Sequence, residues 1–286
     1  MNRIATDSIT SVVLLLMCVW GISAGCSHSA ESRDVLPGDA ALEAGRDSAS
    51  NEQAVEGPGR GRAALESASA AGKYLFVLFH KNDDAATQAR RKAFAEATER
   101  LADRADRIEI DVASPAERDW IARYGLDGAP MPLVLAFAPN GAVTAGFPDE
   151  FTASDLETAF VSPAAQQCMK HLQDGKLVFV CVQGESTQGN DEAMAGVQQF
   201  LADGRYGANA EAVLLDPADG AEAALLEELE VDPKTPTATT VFLVPPGSRL
   251  AQFTGATTKQ QFIAELEKAS ARCSGGNCGP GGCGPR

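Results

Sequence analysis

The chain has 286 residues, enough for two ordinary domains that each bury a core of their own. Its 39 Asp and Glu against 24 Lys and Arg leave a formal charge of −15, the wrong balance for neutralising nucleic-acid phosphates, so nucleic acid is excluded as a partner. The hydrophobic fraction of 44% is ordinary for a globular protein.

Arg3 precedes an apolar run from Val12 to Trp20, which small residues and Cys26 follow. The run is short for a membrane span and has the order of a secretory signal, assigned to residues 1–25. Ser23-Ala24-Gly25-Cys26 resembles a bacterial lipobox, which implies that Cys26 is lipidated and becomes the mature N-terminus. Ser23 stands where that pattern has a branched apolar residue, and ordinary signal cleavage that leaves a free Cys26 is the alternative. Either way the protein is expected to be exported, to the cell envelope or periplasm. Ser27 follows the cysteine instead of Asp, so by resemblance to enteric lipoproteins nothing holds the protein at the inner membrane. Residues 26–60 are mostly Ser, Asp, Glu, Ala and Gly with few large apolar side chains. Such a segment buries too little surface to offset its ordering entropy and is expected to be a disordered tether.

A helix over Ala63–Ala71, ended by Gly72, leads to Tyr74-Leu-Phe-Val-Leu-Phe79, an apolar run without alternation that suits a central parallel strand covered on both faces. Asp84 is placed to cap a helix from Ala85 to about Arg104, with Ala93, Phe94, Ala97 and Leu101 on one stripe. A second strand is expected over Ile108–Val112. Ser114-Pro115-Ala116-Glu117 has the pattern of a capping box with Pro at the first helical position, opening a helix that turns Trp120 and Ile121 inward and closes at Gly125. Pro130-Met131-Pro132 precedes the strand Leu133–Phe137. Pro139-Asn140-Gly141 then turns the chain into Ala142–Phe147, a hairpin, and Thr152–Phe160 supplies a closing helix.

The pattern repeats. Ser162-Pro163 opens a helix that ends at Gly175, and Lys176 leads into Leu177–Val182 as Lys73 leads into the first strand. At nearly constant offset, Ile110-Asp111 matches Leu215-Asp216, Gly125-Leu126-Asp127 matches Glu230-Val231-Asp232, Pro139-Asn140-Gly141 matches Pro245-Pro246-Gly247, and Phe147 matches Phe253.

This order of strands, helices and prolines resembles the thioredoxin-like fold, once over residues 61–161 and again over 162–271. The resemblance implies an α/β chain of two tandem domains, each a central mixed sheet flanked by helices. A redox-active member would carry Cys-x-x-Cys where this chain has Asp84, Ala85, Ala86 and Thr87, and the second unit reads Gln-Gly-Glu-Ser-Thr-Gln-Gly-Asn after Val182. The resemblance also implies a cis-proline before the third strand, at Pro132 and, in the second unit, at Pro236 after Thr235. The backbone beside Met131 and Pro132 would then pair with an extended peptide as an added strand.

Without a thiolate at the helix start, disulfide exchange has no nucleophile there. Asp84 reads as a helix cap and His80 as a solvated or lightly packed side chain. Cys168 and Cys181 take the places of Leu65 and Leu78 in the first unit and read as packed thiols, with a structural disulfide as the alternative. His171, three residues beyond Cys168, is a weak metal signal. Residues 272–286 carry Cys273, Cys278 and Cys283 among Gly and Pro, expected to be a disordered tail. That tail is open to three assignments: no specific task, disulfides and cross-links, or Cu(I) held by soft thiolates.

The expected function is that of a membrane-anchored, redox-silent binding or chaperone-like module, not an enzyme, whose partners are the membrane through Cys26 and another envelope protein. Its site is the degenerate active loop and proline region: Asp84, Thr87, Met131, Pro132, Thr235 and Pro236. The alternatives are a thiol-disulfide oxidoreductase working through the tail, and copper handling by that tail.

Overall fold

The computed structural model describes residues 59–274. The signal, most of the tether, Cys26, Cys278 and Cys283 lie outside the described residues. Two four-stranded mixed sheets account for the core, with strand orders β2-β1-β3-β4 and β6-β5-β7-β8. In the first unit α1 (Arg60–Ala70) leads to β1 (Tyr74–His80), α2 (Ala85–Glu99), β2 (Ala105–Asp111), α3 (Arg118–Arg123), β3 (Leu133–Phe137), β4 (Val143–Phe147) and α4 (Ala153–Glu157). The second runs through α5 (Pro163–Gln173), β5 (Leu177–Val182), α6 (Asn190–Leu201), β6 (Ala210–Leu215), α7 (Ala223–Glu228), β7 (Thr239–Val244), β8 (Ser248–Thr254) and α8 (Lys259–Ser274). In each sheet the first strand pairs parallel with the second and antiparallel with the third.

The unbroken apolar run of β1 follows from this placement, because both its faces are covered. Phe76 and Leu78 pack with Phe94 and Leu101 beside α2. Leu75, Val77 and Phe79 face the other way, toward Ala68 of α1 and Trp120 and Ile121 of α3. The second unit divides in the same manner. Val178, Val180 and Val182 face Cys168 and Leu172 of α5, while Phe179 and Cys181 face Val197 and Phe200 of α6 and Phe262 of α8. Cys168 and Cys181 therefore lie on opposite faces of the sheet. Both are free thiols, which removes the disulfide alternative.

The repeat holds at the level of single residues. Gly72 and Gly175 end the first helix of each unit with positive φ. Lys73 pairs with Asp106 at 3.3 Å and Lys176 with Glu211 at 2.6 Å, the same tie between the first and second strands. Gly125 (φ 63) has its counterpart in Glu230 (φ 53), so the second unit makes a left-handed turn without glycine. Phe147 and Phe253 pair with Val134 and Thr240 at equivalent points of the two hairpins.

Three expectations are corrected. β2 begins at Ala105, not Ile108, because it is an edge strand whose Asp106 and Arg107 remain partly exposed and interrupt the apolar signal. The helix before it ends at Glu99, not Arg104, with Leu101 still buried in the turn that follows. The capping box at Ser114 does not form: the Ser114 side chain makes no cap bond. Glu117 instead turns inward, 3% exposed, and accepts from Gly61 N–H at 3.2 and 3.3 Å, capping the start of α1. Gly61 is required by this approach, since a Cβ there would lie 2.5 Å from the Trp120 ring. A capping box does form at Thr152 and Asp155, where Thr152 N–H donates to Asp155 Oδ2 at 2.7 Å.

α5 belongs to the second unit by sequence but seals the first. Met169 enters the first unit's core. The Gln173 amide meets the outer edge of β4 as another strand would: Val143 N–H donates to Gln173 Oε1 at 2.9 Å, and Gln173 Nε2 donates to Val143 O at 2.7 Å. Asn140 Nδ2 adds a bond to Gln166 O at 2.8 Å.

Candidate functional site

Phe79 pairs with Leu133, so β1 leaves the sheet at the end where β3 enters it, and His80 and Pro132 come to that same end. Asp84 is extended (φ −83, ψ 176), and its Oδ1 accepts from Thr87 N–H at 2.8 Å, the cap that the sequence suggests. That bond holds the Asp84 carboxyl below the usual carboxylate range, so it remains ionised at neutral pH and is a poor base. Thr87 is 2% exposed and turns away from solvent. Arg91 ties the loop down, donating from Nη1 to Asp83 Oδ1 at 2.8 Å and from Nε to Glu109 Oε2 at 2.5 Å.

The Met131–Pro132 bond is cis, as the resemblance implied. Met131 is half-buried against the cluster of Trp120, Leu126 and Leu133. Among the described residues no hydrogen bond engages its main-chain N–H or C=O. Asp84, Met131 and Pro132 thus gather at one end of the sheet, with an exposed carboxylate on one side and unpaired main chain on the other. Among the described residues no group of three or more His, Cys, Asp or Glu is placed to hold a metal ion.

The second unit departs from expectation. Val182 pairs with Thr239 as Phe79 pairs with Leu133. The counterparts of Met131 and Pro132 are therefore Thr237 and Ala238, not Thr235 and Pro236. The cis bonds among the described residues are Met131–Pro132 and Pro245–Pro246, which leaves Thr235–Pro236 trans. Proline spacing is misleading here because Pro236 matches Pro130, two residues before Pro132.

The loop before α6 is also longer, spanning 183–189 where the first unit has 81–84. Its polar groups satisfy one another. Gly184 N–H donates to Thr187 Oγ1 at 2.9 Å, Thr187 Oγ1 bonds Asn190 Oδ1 at 2.7 Å, and Asn190 Nδ2 donates to Gly184 O at 3.0 Å. Gln188 bridges to Thr237 in parallel sense. The sequence carries no motif that marks Gln188; its place beside Thr237 follows from strand register.

Burial pushes the Cys168 thiol up to about 12, aided by the Glu222 carboxylate, and burial alone does the same for Cys181. Neither is a nucleophile at neutral pH. Cys273 falls on the last turn of α8, so this part of the expected tail is helical.

No protein-family model and no curated protein matches the chain. Solved structures that resemble it include thioredoxin O1 from Arabidopsis thaliana in its oxidised state, at 11% identity and TM-score 0.28, covering 35% of this chain and 87% of that one. The first two thioredoxin domains of Saccharomyces cerevisiae Eps1p match over 71% of this chain and 94% of that one, at 11% identity and TM-score 0.26. Human ERp44 in a zinc-bound form matches over 74% of this chain and 59% of that one, at 9% identity and TM-score 0.30. Strand order, helix placement and residue-level repetition make the chain a tandem of two thioredoxin-like folds, each without sulfur in the loop and helix start that follow its central strand.

Proposed function

We propose that the chain is an exported binding module, anchored to a membrane through lipid on Cys26, that holds an extended segment of another envelope polypeptide against the first unit. The observation that carries this is the unpaired main chain of Met131 beside Pro132, at the end of the sheet where Asp84 caps α2 in place of a thiol. An added strand there would use the N–H and C=O of Met131, and the exposed loop 81–84 would line its other side. Asp84 contributes an exposed charge, and the buried Thr87 holds it in place through its N–H. The apolar run Val12–Trp20 with Cys26 after it supports export and the anchor.

The test uses the full-length protein with reduced, carboxymethylated α-lactalbumin as an extended probe. Binding is expected in wild type and lost in Met131→Pro, which removes the donor N–H, with circular dichroism unchanged. Wild type is also expected to leave insulin disulfides unreduced above background. Turnover of insulin that depends on Cys168 or Cys181 would replace the binding role with an enzymatic one. Palmitate labelling lost in Cys26→Ala tests the anchor.

A further inference from the structure

β2 and β6 are the edge strands at equivalent places in the two sheets, and their open sides differ. The registers Leu78↔Glu109 and Cys181↔Leu214 make Leu214 the counterpart of Glu109, and Ala212 that of Arg107. Val112 N–H donates to His80 O and Gln183 N–H to Leu215 O, so by alternation the main chains of Arg107 and Glu109, and of Ala212 and Leu214, point away from their sheets. In the first unit the side chains along this edge are charged and bonded at home. Arg91 Nε donates to Glu109 Oε2 at 2.5 Å, and Arg107 Nη1 to Ala95 O at 2.6 Å and Thr98 Oγ1 at 2.9 Å. Arg91, Ala95 and Thr98 form one i, i+4, i+7 stripe on the flank of α2. Since Phe94 and Ala97 match the buried Val197 and Phe200, the same stripe on α6 is Met194, Gln198 and Leu201. The second unit thus has Met194, Leu201, Ala212 and Leu214 where the first has Arg91, Thr98, Arg107 and Glu109. Among the described residues Leu214 is the large apolar side chain left exposed, at 63%, and no hydrogen bond reaches its main chain or that of Ala212. Charge is what keeps an edge strand from pairing with another chain, and this edge has none.

We propose that two copies of the chain associate through β6, antiparallel about a two-fold axis at Ala212, which joins the two second-unit sheets into one of eight strands. A second copy fits because the outward residues Ala210, Ala212 and Leu214 complement themselves in volume: the axis sets Ala212 against Ala212, and Leu214 against the small Ala210 of the other copy. Each Ala212 N–H meets the other Ala212 C=O, and each Leu214 N–H meets Ala210 O; Ala210 N–H is already held by Gly207 O. These side chains are uncharged, so the charge of −15 on each copy is not brought together at the seam. Glu211 points to the opposite face, where Lys176 holds it at 2.6 Å. Three residues from each copy bury less than a standard interface, so the dimer exchanges with monomer. Met131 belongs to the first unit and takes no part in the pairing.

The experiment uses the full-length protein in detergent and reductant, which keeps the thiols of residues 272–286 from cross-linking. Sedimentation velocity over a concentration series is expected to show a monomer–dimer equilibrium. Leu214→Glu, which restores the first unit's charge at the edge, is expected to weaken it about tenfold or more. Ala212→Pro removes an N–H at the axis and no bond within the sheet, and is expected to do the same, with circular dichroism unchanged. A photo-cross-linking residue at 212 is expected to join two copies, mapping by mass spectrometry to residues 210–214, and the same residue at 107 to join none. A monomer up to about 1 mM would overturn the proposal, as would a dimer that folded Leu214→Glu leaves unchanged, or cross-links from 212 that map elsewhere. Capture of reduced, carboxymethylated α-lactalbumin at 212 by a chain that stays monomeric would assign the edge to a foreign strand and overturn self-association.

Discussion

Glu117 and Glu222 perform the same task in the two units: each sends a buried carboxylate from a short turn to the first amides of the helix that opens its unit. Glu117 accepts from Gly61 N–H, and Glu222 accepts from Ala164 N–H at 3.0 Å and from the Ser162 hydroxyl. The carboxylate satisfies donors that the helix leaves free and sits at the positive end of its dipole. Glu117→Ala and Glu222→Ala should each cost about 1.5–3 kcal/mol, the scale of a hydrogen bond to a charged group. Urea unfolding measures this, and a cost below the scatter of ordinary surface substitutions would show that the carboxylates are not the caps.

Gln173→Ala should expose the edge of β4. Two hydrogen bonds with Val143 are lost, at a net cost of about 1–2 kcal/mol for the pair. The Val143 amide should exchange faster in the variant, whereas an unchanged rate would mean that Gln173 does not seal that edge. The freed edge also gives the variant a greater tendency to associate by strand pairing, read by light scattering.

The buried thiols give a reactivity order. With proton affinities raised to about 12, Cys168 and Cys181 hold almost no thiolate at pH 8 and should resist maleimide until the second unit unfolds. Cys273, Cys278 and Cys283 are expected to react first, and to form mixed disulfides or cross-linked dimers in the native protein. Copper bound stoichiometrically by anaerobic protein, and lost in the triple Cys→Ser variant, would assign those thiols to Cu(I) instead.

The cap at Asp84 predicts a pH response. Its carboxyl lies below the usual range when folded, because Thr87 N–H favours the charged form. The stabilisation is therefore present above the unfolded value of about 3.9 and lost as pH falls through the lower folded value. Exchange of the Thr87 amide should rise over that acidic window in wild type, whereas Asp84→Asn should remove this dependence while keeping an acceptor. A dependence that persists in Asp84→Asn would place its origin in another group.

What the sequence determined by itself was the repeated architecture, because it is written in local signals. The two apolar runs Tyr74–Phe79 and Leu177–Val182, the glycines at 72 and 175 and the hairpin tips at 139–141 and 245–247 each act within a few residues, so spacing alone located them. The loss of sulfur at Asp84–Thr87 was equally plain. What only the tertiary structure decided were pairings between distant residues. Glu117 has the spacing of a local capping box, yet bonds to Gly61, because the turn that carries it packs beside α1. Ala238, not Pro236, matches Pro132, since strand register is fixed by partners across the sheet and not by counting prolines. The same register brought Gln188 to Thr237, a contact that no linear pattern announces.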